Sequence, residues 1–122
     1  MKRAMKEALR DCSTLEEFSF LIRCQECGRI WRSKPVRFSG AGITPETEGR
    51  WTLVRTLYER ERQAAREAAA AEAVGVFNIC PICGRVVCDR CFLICEDADV
   101  CTSCAGKLQV CGDPVAGNGS SL

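Results

Sequence analysis

The sequence contains no histidine among its 122 residues. Histidine-based catalytic triads, HExxH metal sites and imidazole acid–base chemistry are therefore excluded from this chain. Aromatic residues make up only 7%, too few for a core built mainly on large rings. No apolar run approaches the roughly 20 residues that span a bilayer. The formal charge of +1 provides no strong overall field for a membrane or a nucleic acid.

Cysteine, in contrast, is abundant, with 11 residues. Eight of the cysteines form four CxxC pairs, and this spacing lets both sulfurs of a pair face one metal ion. Two of the pairs, in CQECG and CPICG, precede a glycine, which suits a knuckle that needs a positive φ. The pattern predicts two zinc ions held by eight thiolates: Cys24, Cys27, Cys80, Cys83, Cys88, Cys91, Cys101 and Cys104.

Disulfide bonds and redox-active CxxC motifs are the competing interpretations of these cysteines. The first residues, MKRAMKEALRDC, lack the apolar stretch of a secretory signal, so we expect a reducing, cytoplasmic setting. One CxxC motif usually suffices for redox chemistry, and four do not suggest it. Zinc is therefore the favoured interpretation.

The segment from Cys80 to Leu108 has the pattern CxxCGRVVCxxC, followed after nine intervening residues by CxxC and a short helix, AGKL. It resembles the second half of FYVE-type and related treble-clef zinc domains. In that family the pairs are cross-braced, which implies one site of Cys24, Cys27, Cys88 and Cys91 and another of Cys80, Cys83, Cys101 and Cys104. The family's basic, histidine-containing run is replaced here by residues 76–79, VFNI. We therefore predict no lipid binding.

A sequential pairing uses the same eight ligands. CQECG and CPICG look like the two knuckles of a zinc ribbon, which would join Cys24, Cys27, Cys80 and Cys83. Cys88, Cys91, Cys101 and Cys104 would then form a treble-clef site. Spacing alone does not decide between the two pairings.

The predicted fold class is a small, metal-stabilised α+β protein with two four-cysteine zinc modules and a long inserted helix. Helical spacing over residues 2–12 predicts a helix, and the alternation of Phe18, Phe20 and Ile22 predicts a strand. Ile30–Arg32 should be its partner strand, and 36–38 a further short strand. The predicted divisions are an N-terminal helix in 1–17, a first knuckle hairpin in 18–39, an inserted helix in 44–75, a CxxC-rich module in 76–112 and a flexible tail in 113–122.

The inserted helix should begin near Thr44-Pro45 and run from Arg50 to Ala73, because glycine follows at residue 75. Its second half offers only alanine, which suits a partner helix or a solvated arm, and the alternative is a helix that lies over the zinc modules. One apolar face is predicted to contain Trp51, Val54, Leu57, Tyr58, Ala65 and Ala68.

Two functions are compatible with these features. Four-thiolate zinc sites are closed and structural, so we expect no enzyme activity but a protein-interaction adaptor or scaffold that docks another protein through the 50–74 helix. The charged loop with Glu96, Asp97 and Asp99 is interpreted as solvated. The alternative is nucleic-acid binding through the basic segment 23–37, whose candidate residues are Arg23, Arg29, Trp31, Arg32, Lys34 and Arg37.

Three cysteines lie outside the CxxC pairs. Cys12, Cys95 and Cys111 are each predicted to be small buried apolar residues, with substitute ligands or redox thiols as the alternative.

Overall fold

The chain forms two structural units, and a computed structural model describes its residues 2–115. The N-terminal unit consists of Lys2–Ile22 and Arg32–Ala73. The cysteine-rich unit consists of Arg23–Trp31 and the described residues from Val74 onward. The first CxxC pair therefore belongs to the same unit as the other three, although a long insertion separates them in sequence.

The N-terminal half of the chain contains two helices and five short strands. Three strands form a sheet in the order β1-β3-β4, and β2 pairs with β5 in an antiparallel ladder. The elements are α1 (Lys2–Ala8), β1 (Arg10–Asp11), β2 (Glu17–Phe18), β3 (Phe20–Arg23), β4 (Ile30–Arg32), β5 (Val36–Arg37) and α2 (Glu48–Val74).

The core of the N-terminal unit is built on the predicted alternation. Phe18, Phe20 and Ile22 are all almost completely buried, but they lie on two strands, β2 and β3, and not on the single strand that the alternation predicts. Phe18 packs against Phe38 and Tyr58, with ring centroids 5.8 Å and 5.0 Å apart. The Tyr58 hydroxyl donates to the carbonyl of Thr14 at 2.8 Å, so the polar end of the ring has a partner.

The first helix is shorter than the sequence predicts. It ends at Ala8 instead of Cys12, because Arg10 and Asp11 pair with Leu21 and Phe20 as strand β1. Met5 and Leu9 are buried as expected, but Cys12 is exposed. The prediction that Cys12 is a buried apolar residue of this helix is therefore wrong.

Helix α2 begins at Glu48, with Thr47 as its cap in place of Thr44. The Thr47 hydroxyl accepts from the Arg50 N–H at 3.2 Å, and its carbonyl accepts from the Trp51 N–H at 3.0 Å. The predicted apolar face is only partly correct, because Ala68 is exposed and Trp51 and Leu57 remain largely open to solvent. The buried positions of this helix are Ala65, Ala69, Ala70 and Ala73.

The alanine-rich half of α2 is not a solvated arm. Charged residues beside the buried alanines bind the first elements of the chain: Arg62 pairs with Asp11 at 2.7 Å, and Arg66 donates to the carbonyl of Lys6 at 3.0 Å. Lys6 also forms an ion pair with Glu67. Alanine allows close approach of the backbone, and the flanking ion pairs anchor α2 to α1 and β1 inside the N-terminal unit.

The cysteine-rich unit contains two small antiparallel sheets and one short helix. β6 pairs with β7, and the other sheet has the order β10-β8-β9. Asp113 and Pro114 belong to β10, so the predicted flexible tail cannot begin at residue 113; residues 116–122 lie outside the described chain. The elements are β6 (Phe77–Ile79), β7 (Val86–Cys88), a 3-10 turn (Asp89–Cys91), β8 (Phe92–Cys95), β9 (Val100–Cys101), α3 (Thr102–Leu108) and β10 (Gly112–Pro114).

Candidate metal centres

The structure groups eight cysteine sulfurs into two sets of four, each set within 4.8 Å of one another. The first set, here called site 1, consists of Cys24, Cys27, Cys88 and Cys91. The second set, site 2, consists of Cys80, Cys83, Cys101 and Cys104. This is the cross-braced grouping and not the sequential one, and both sites lie within the cysteine-rich unit.

Each site combines one knuckle with one later CxxC pair. The Cys24 knuckle follows β3, and the Cys80 knuckle joins β6 to β7. The two later pairs begin at the end of β7 and at the end of β9, just before a helical turn in each case. A knuckle and a helical turn present their sulfurs from opposite sides, which closes a tetrahedral ligand set.

The two knuckles have the same backbone geometry. In the first, the Gly28 N–H donates to the Cys24 carbonyl at 2.9 Å, and in the second the Gly84 N–H donates to the Cys80 carbonyl at 2.8 Å. Gly28 and Gly84 adopt φ values of 82° and 75°, a region that favours glycine. The prediction of glycine-dependent knuckles is confirmed.

The spacing of the sulfurs fits a tetrahedral zinc ion. Zinc–thiolate bonds of about 2.3 Å in a tetrahedron place sulfurs about 3.8 Å apart. The Cys27 and Cys88 sulfurs are 3.8 Å apart, and those of Cys83 and Cys101 are also 3.8 Å apart. Cys88 and Cys91 are 3.7 Å apart. Four soft thiolates at these distances suit Zn²⁺ and leave no open position on it.

Backbone N–H groups stabilise negative charge on the first sulfur of each knuckle. Burial opposes ionisation of the Cys24 thiol, but N–H groups of Cys27, Cys88 and Glu26 donate to it and lower its pKa to about 6. Cys80 follows the same pattern: burial raises its pKa, donors that include the Cys101 N–H lower it, and the result is about 6. These two sulfurs are therefore prepared as thiolates.

In contrast, the pKa of the last cysteine in each site is raised. Burial, followed by the neighbouring sulfurs of its own site, raises the pKa of Cys104 to about 12. The same causes raise the pKa of Cys91 strongly. Four sulfurs packed this closely repel one another as anions, and a divalent cation between them removes that repulsion.

Arg85 connects the two knuckles, and sequence analysis did not identify it as a site residue. Its guanidinium donates to the Gln25 carbonyl at 2.8 Å and to the Cys101 sulfur at 3.6 Å, and it forms an ion pair with Glu26. Ser103 also donates to Glu26, at 2.7 Å. The sequence does contain a feature that could have identified Arg85: the pattern CxxCGR occurs in both knuckles, so the arginine is part of the repeated motif.

The basic candidates are divided between the two structural units. Arg23, Arg29 and Trp31 belong to the cysteine-rich unit, whereas Arg32, Lys34 and Arg37 belong to the N-terminal unit. All five cations are exposed, and Trp31 is half-buried with its ring 6.0 Å from that of Phe77. Within residues 2–115, none of the five side chains forms an ion pair.

Cys95 and Cys111 lie outside both metal sites, beside a cavity of about 430 Å³ that is also lined by Asp97 and Leu108. Cys95 is half-buried, but Cys111 is exposed, so the prediction of a buried residue is wrong for Cys111. Burial, then the negative charges of Asp99, Cys111 and Asp97, raise the pKa of Cys95. Glu96, Asp97 and Asp99 are exposed, as expected of a solvated loop.

In the described part of the chain, no helix combines the length and the apolar character needed to cross a bilayer. Comparison with protein-family models, with curated proteins and with solved structures yields no match to this chain.

Proposed function

We propose that this chain is a non-enzymatic zinc protein that acts as a protein-interaction adaptor. Closed four-thiolate sites stabilise a fold and offer no position for a substrate, which favours a structural role for the metal. The knuckle, hairpin and terminal helix around site 2 support a treble-clef type of module. The protein-docking surface then has to lie outside the metal sites.

An exposed apolar surface on the N-terminal unit carries this proposal. We call it the Trp51 surface. The exposed fractions are 45% for Trp51, 68% for Leu53 and 58% for Ile43. It is defined by Leu15, Ile43, Trp51 and Leu53, each of them exposed.

The Trp51 surface is concave as well as apolar. A groove of about 260 Å³ is lined by Leu15, Ile43 and Trp51, and also by Phe38 and Tyr58. A second groove, of about 640 Å³, continues past Pro45 to Leu53. Clustered apolar side chains that include an aromatic anchor are typical of protein-binding surfaces. Such grooves suit the apolar face of an amphipathic segment of a partner protein.

Affinity purification of the tagged full chain from its native cells tests the adaptor role. The variant Trp51→Gln/Leu53→Gln removes the apolar anchors, and Leu108→Gln, at a residue 50% exposed on α3, is the matched control. We expect a specific set of proteins that is retained by the control and lost from the double variant, with unchanged zinc content in both. Identical protein sets from the wild type and the double variant would contradict the adaptor proposal.

Nucleic-acid binding is the second candidate, because one observation favours it. Arg29 and Trp31 line a cavity of about 290 Å³ beside Phe77, and a cation next to an aromatic edge suits a nucleobase and its phosphate. Asp89 also lines this cavity and opposes an anionic ligand. Eight thiolates and two Zn²⁺ further change the formal charge from +1 to −3, so binding would rest on this local patch alone.

A salt titration with fluorescent single-stranded and duplex oligonucleotides separates the two candidates. Phosphate contacts predict affinity that falls steeply with salt and that Arg29→Gln weakens. The adaptor proposal predicts no binding even at low ionic strength. Binding with a steep salt dependence would favour the nucleic-acid function.

A further inference from the structure

The two knuckles are a sequence repeat with the form CxxCGR. Cys24 to Arg29 and Cys80 to Arg85 have the same spacing and the same turn hydrogen bonds. Cys27 therefore corresponds to Cys83, and Arg29 corresponds to Arg85. Any difference in the surroundings of these matched pairs distinguishes the chemistry of site 1 from that of site 2.

In site 2, the repeat arginine neutralises thiolate charge. The Arg85 guanidinium donates to Cys101 Sγ at 3.6 Å and forms an ion pair with Glu26. A Zn²⁺ ion with four thiolates has a net charge of about −2, since each thiolate contributes −1. A cationic donor at one of the four sulfurs withdraws electron density from the site and lowers the nucleophilicity of that thiolate.

Site 1 has no such cation. Within residues 2–115, no lysine or arginine side chain donates to a sulfur of site 1. Arg29 is exposed and lies at the cavity beside Trp31. Glu26, the residue before Cys27, is an anion that forms an ion pair with Arg85. Among the site 1 cysteines, only Cys27 is exposed, and its Sγ lies 3.8 Å from Cys88 Sγ.

We propose that Cys27 is a modification site at which hydroperoxides oxidise site 1 while site 2 is spared. Cys27 and Cys83 are both exposed, so the difference between the two sites lies in Arg85, whose cationic hydrogen bond lowers the nucleophilicity of a thiolate in site 2 only. The inference rests on the metal-bound thiolates and is independent of the adaptor proposal.

The chemistry needs one hydroperoxide molecule for each pair of thiolates. The Cys27 sulfur attacks one peroxide oxygen, the O–O bond breaks, and a sulfenic acid and one hydroxide form. The Cys88 thiolate then attacks the Cys27 sulfur, the S–O bond breaks, and a disulfide and a second hydroxide form. Two thiolates lose two electrons in total, and both hydroxides take protons from solvent to become water. Site 1 keeps two thiolates, too few to retain its metal.

The experiment treats the zinc-loaded full chain with one equivalent of hydrogen peroxide. A chromogenic chelator follows zinc release, and peptide mapping under non-reducing conditions, after free thiols are alkylated, locates the disulfide. We expect about one zinc ion released per chain, a Cys27–Cys88 disulfide, and reduced Cys83 and Cys101. A Cys83–Cys101 disulfide that forms first, or equal oxidation of the two sites, would overturn the proposal.

Two matched variants test the role of the repeat arginine. Arg85→Gln should accelerate oxidation of site 2 about tenfold, since a charge-assisted hydrogen bond is worth about that factor. Arg29→Gln should leave both rates unchanged. Equal effects of the two variants, or no effect of Arg85→Gln, would contradict protection by Arg85. If Arg85→Gln does not bind two zinc ions, the mapping on the wild-type chain still decides which site is oxidised first.

Discussion

The backbone N–H of Cys88 donates to the sulfur of Cys24 at 3.2 Å, although the two residues are 64 positions apart. The corresponding bond in the other site joins the Cys101 N–H to the Cys80 sulfur at 3.4 Å. In each site, the first knuckle sulfur is thus held by the backbone of the later pair. Along the sequence, the ligand pairs of the two sites alternate. Neither site is therefore formed by a segment that contains its own ligands alone.

Loss of one ligand should remove one metal ion. Cys24→Ser takes a thiolate from site 1, and we expect the purified variant to bind one zinc ion per chain where the wild type binds two. Cys12→Ser is the matched control, because Cys12 is exposed and lies outside both sets of sulfurs. Elemental analysis measures the difference. Two zinc ions in Cys24→Ser, or one in Cys12→Ser, would contradict the ligand assignment.

Acid should release the metal. The folded-state pKa values of Cys24 and Cys80, about 6, lie below the ordinary thiol value of 9.0. Stability from these thiolates is therefore complete above pH 9 and is lost as the pH falls through about 6. Bound zinc lowers the pKa of its thiolate ligands further, so we expect zinc release, followed with a chelator dye, to begin below pH 6 and to be accompanied by loss of folded signal in circular dichroism. Zinc binding that does not weaken as the pH falls would contradict thiolate ligands.

The buried alanine stripe of α2 predicts a position-dependent effect of added volume. Ala70 is completely buried, so Ala70→Leu should lower the free energy of unfolding by about 1–3 kcal/mol through overpacking. Ala68 is exposed, and Ala68→Leu should change that free energy by less than about 0.5 kcal/mol. Urea unfolding of the zinc-loaded proteins measures both values. Equal effects would mean that the alanine half of α2 is not packed as described.

Replacement of two glycines by alanine should change the free energy of unfolding in opposite directions. Gly49 lies in the first turn of α2 with no atom within 4 Å of a new Cβ, so Gly49→Ala should stabilise the fold by about 0.5–1 kcal/mol. A Cβ on Gly112 would lie 2.4 Å from the Ile94 carbonyl oxygen. Gly112→Ala should therefore destabilise the pairing of β10 with β8 by about 1–3 kcal/mol. The same urea titration compares them, and a stabilising Gly112→Ala would contradict the β10 pairing.

Local patterns in the sequence predicted much of the fold. Local sequence was sufficient to predict the knuckle glycines, the long helix and the buried positions Phe18, Phe20 and Ile22, because each of these features depends on neighbours in the chain. The end of α1 was missed because β1 pairs with β3, a contact that local helical spacing does not reveal. Thr47 was missed as the cap because Thr44-Pro45 shows an equally good start signal.

The candidate metal sites were predictable as a set of ligands and not as two separate groups. Both pairings use the same eight cysteines, and the choice depends on contacts such as the one between Cys88 and Cys24. Arg85 was missed for the same reason, since its contacts with Glu26 and Cys101 join residues that are distant in sequence. The spacing of the cysteines identifies which residues are metal ligands, and tertiary contacts determine which of these ligands share one ion.

Cadmium-113 NMR of the full chain tests the interleaved two-metal arrangement most directly. With ¹¹³Cd²⁺ in place of zinc, couplings from each metal to cysteine Hβ protons identify its ligands. We expect two ¹¹³Cd resonances, one coupled to Cys24, Cys27, Cys88 and Cys91 and the other to Cys80, Cys83, Cys101 and Cys104. A single resonance, or one that couples Cys24 and Cys27 to Cys80 and Cys83, would contradict the cross-braced pair of sites.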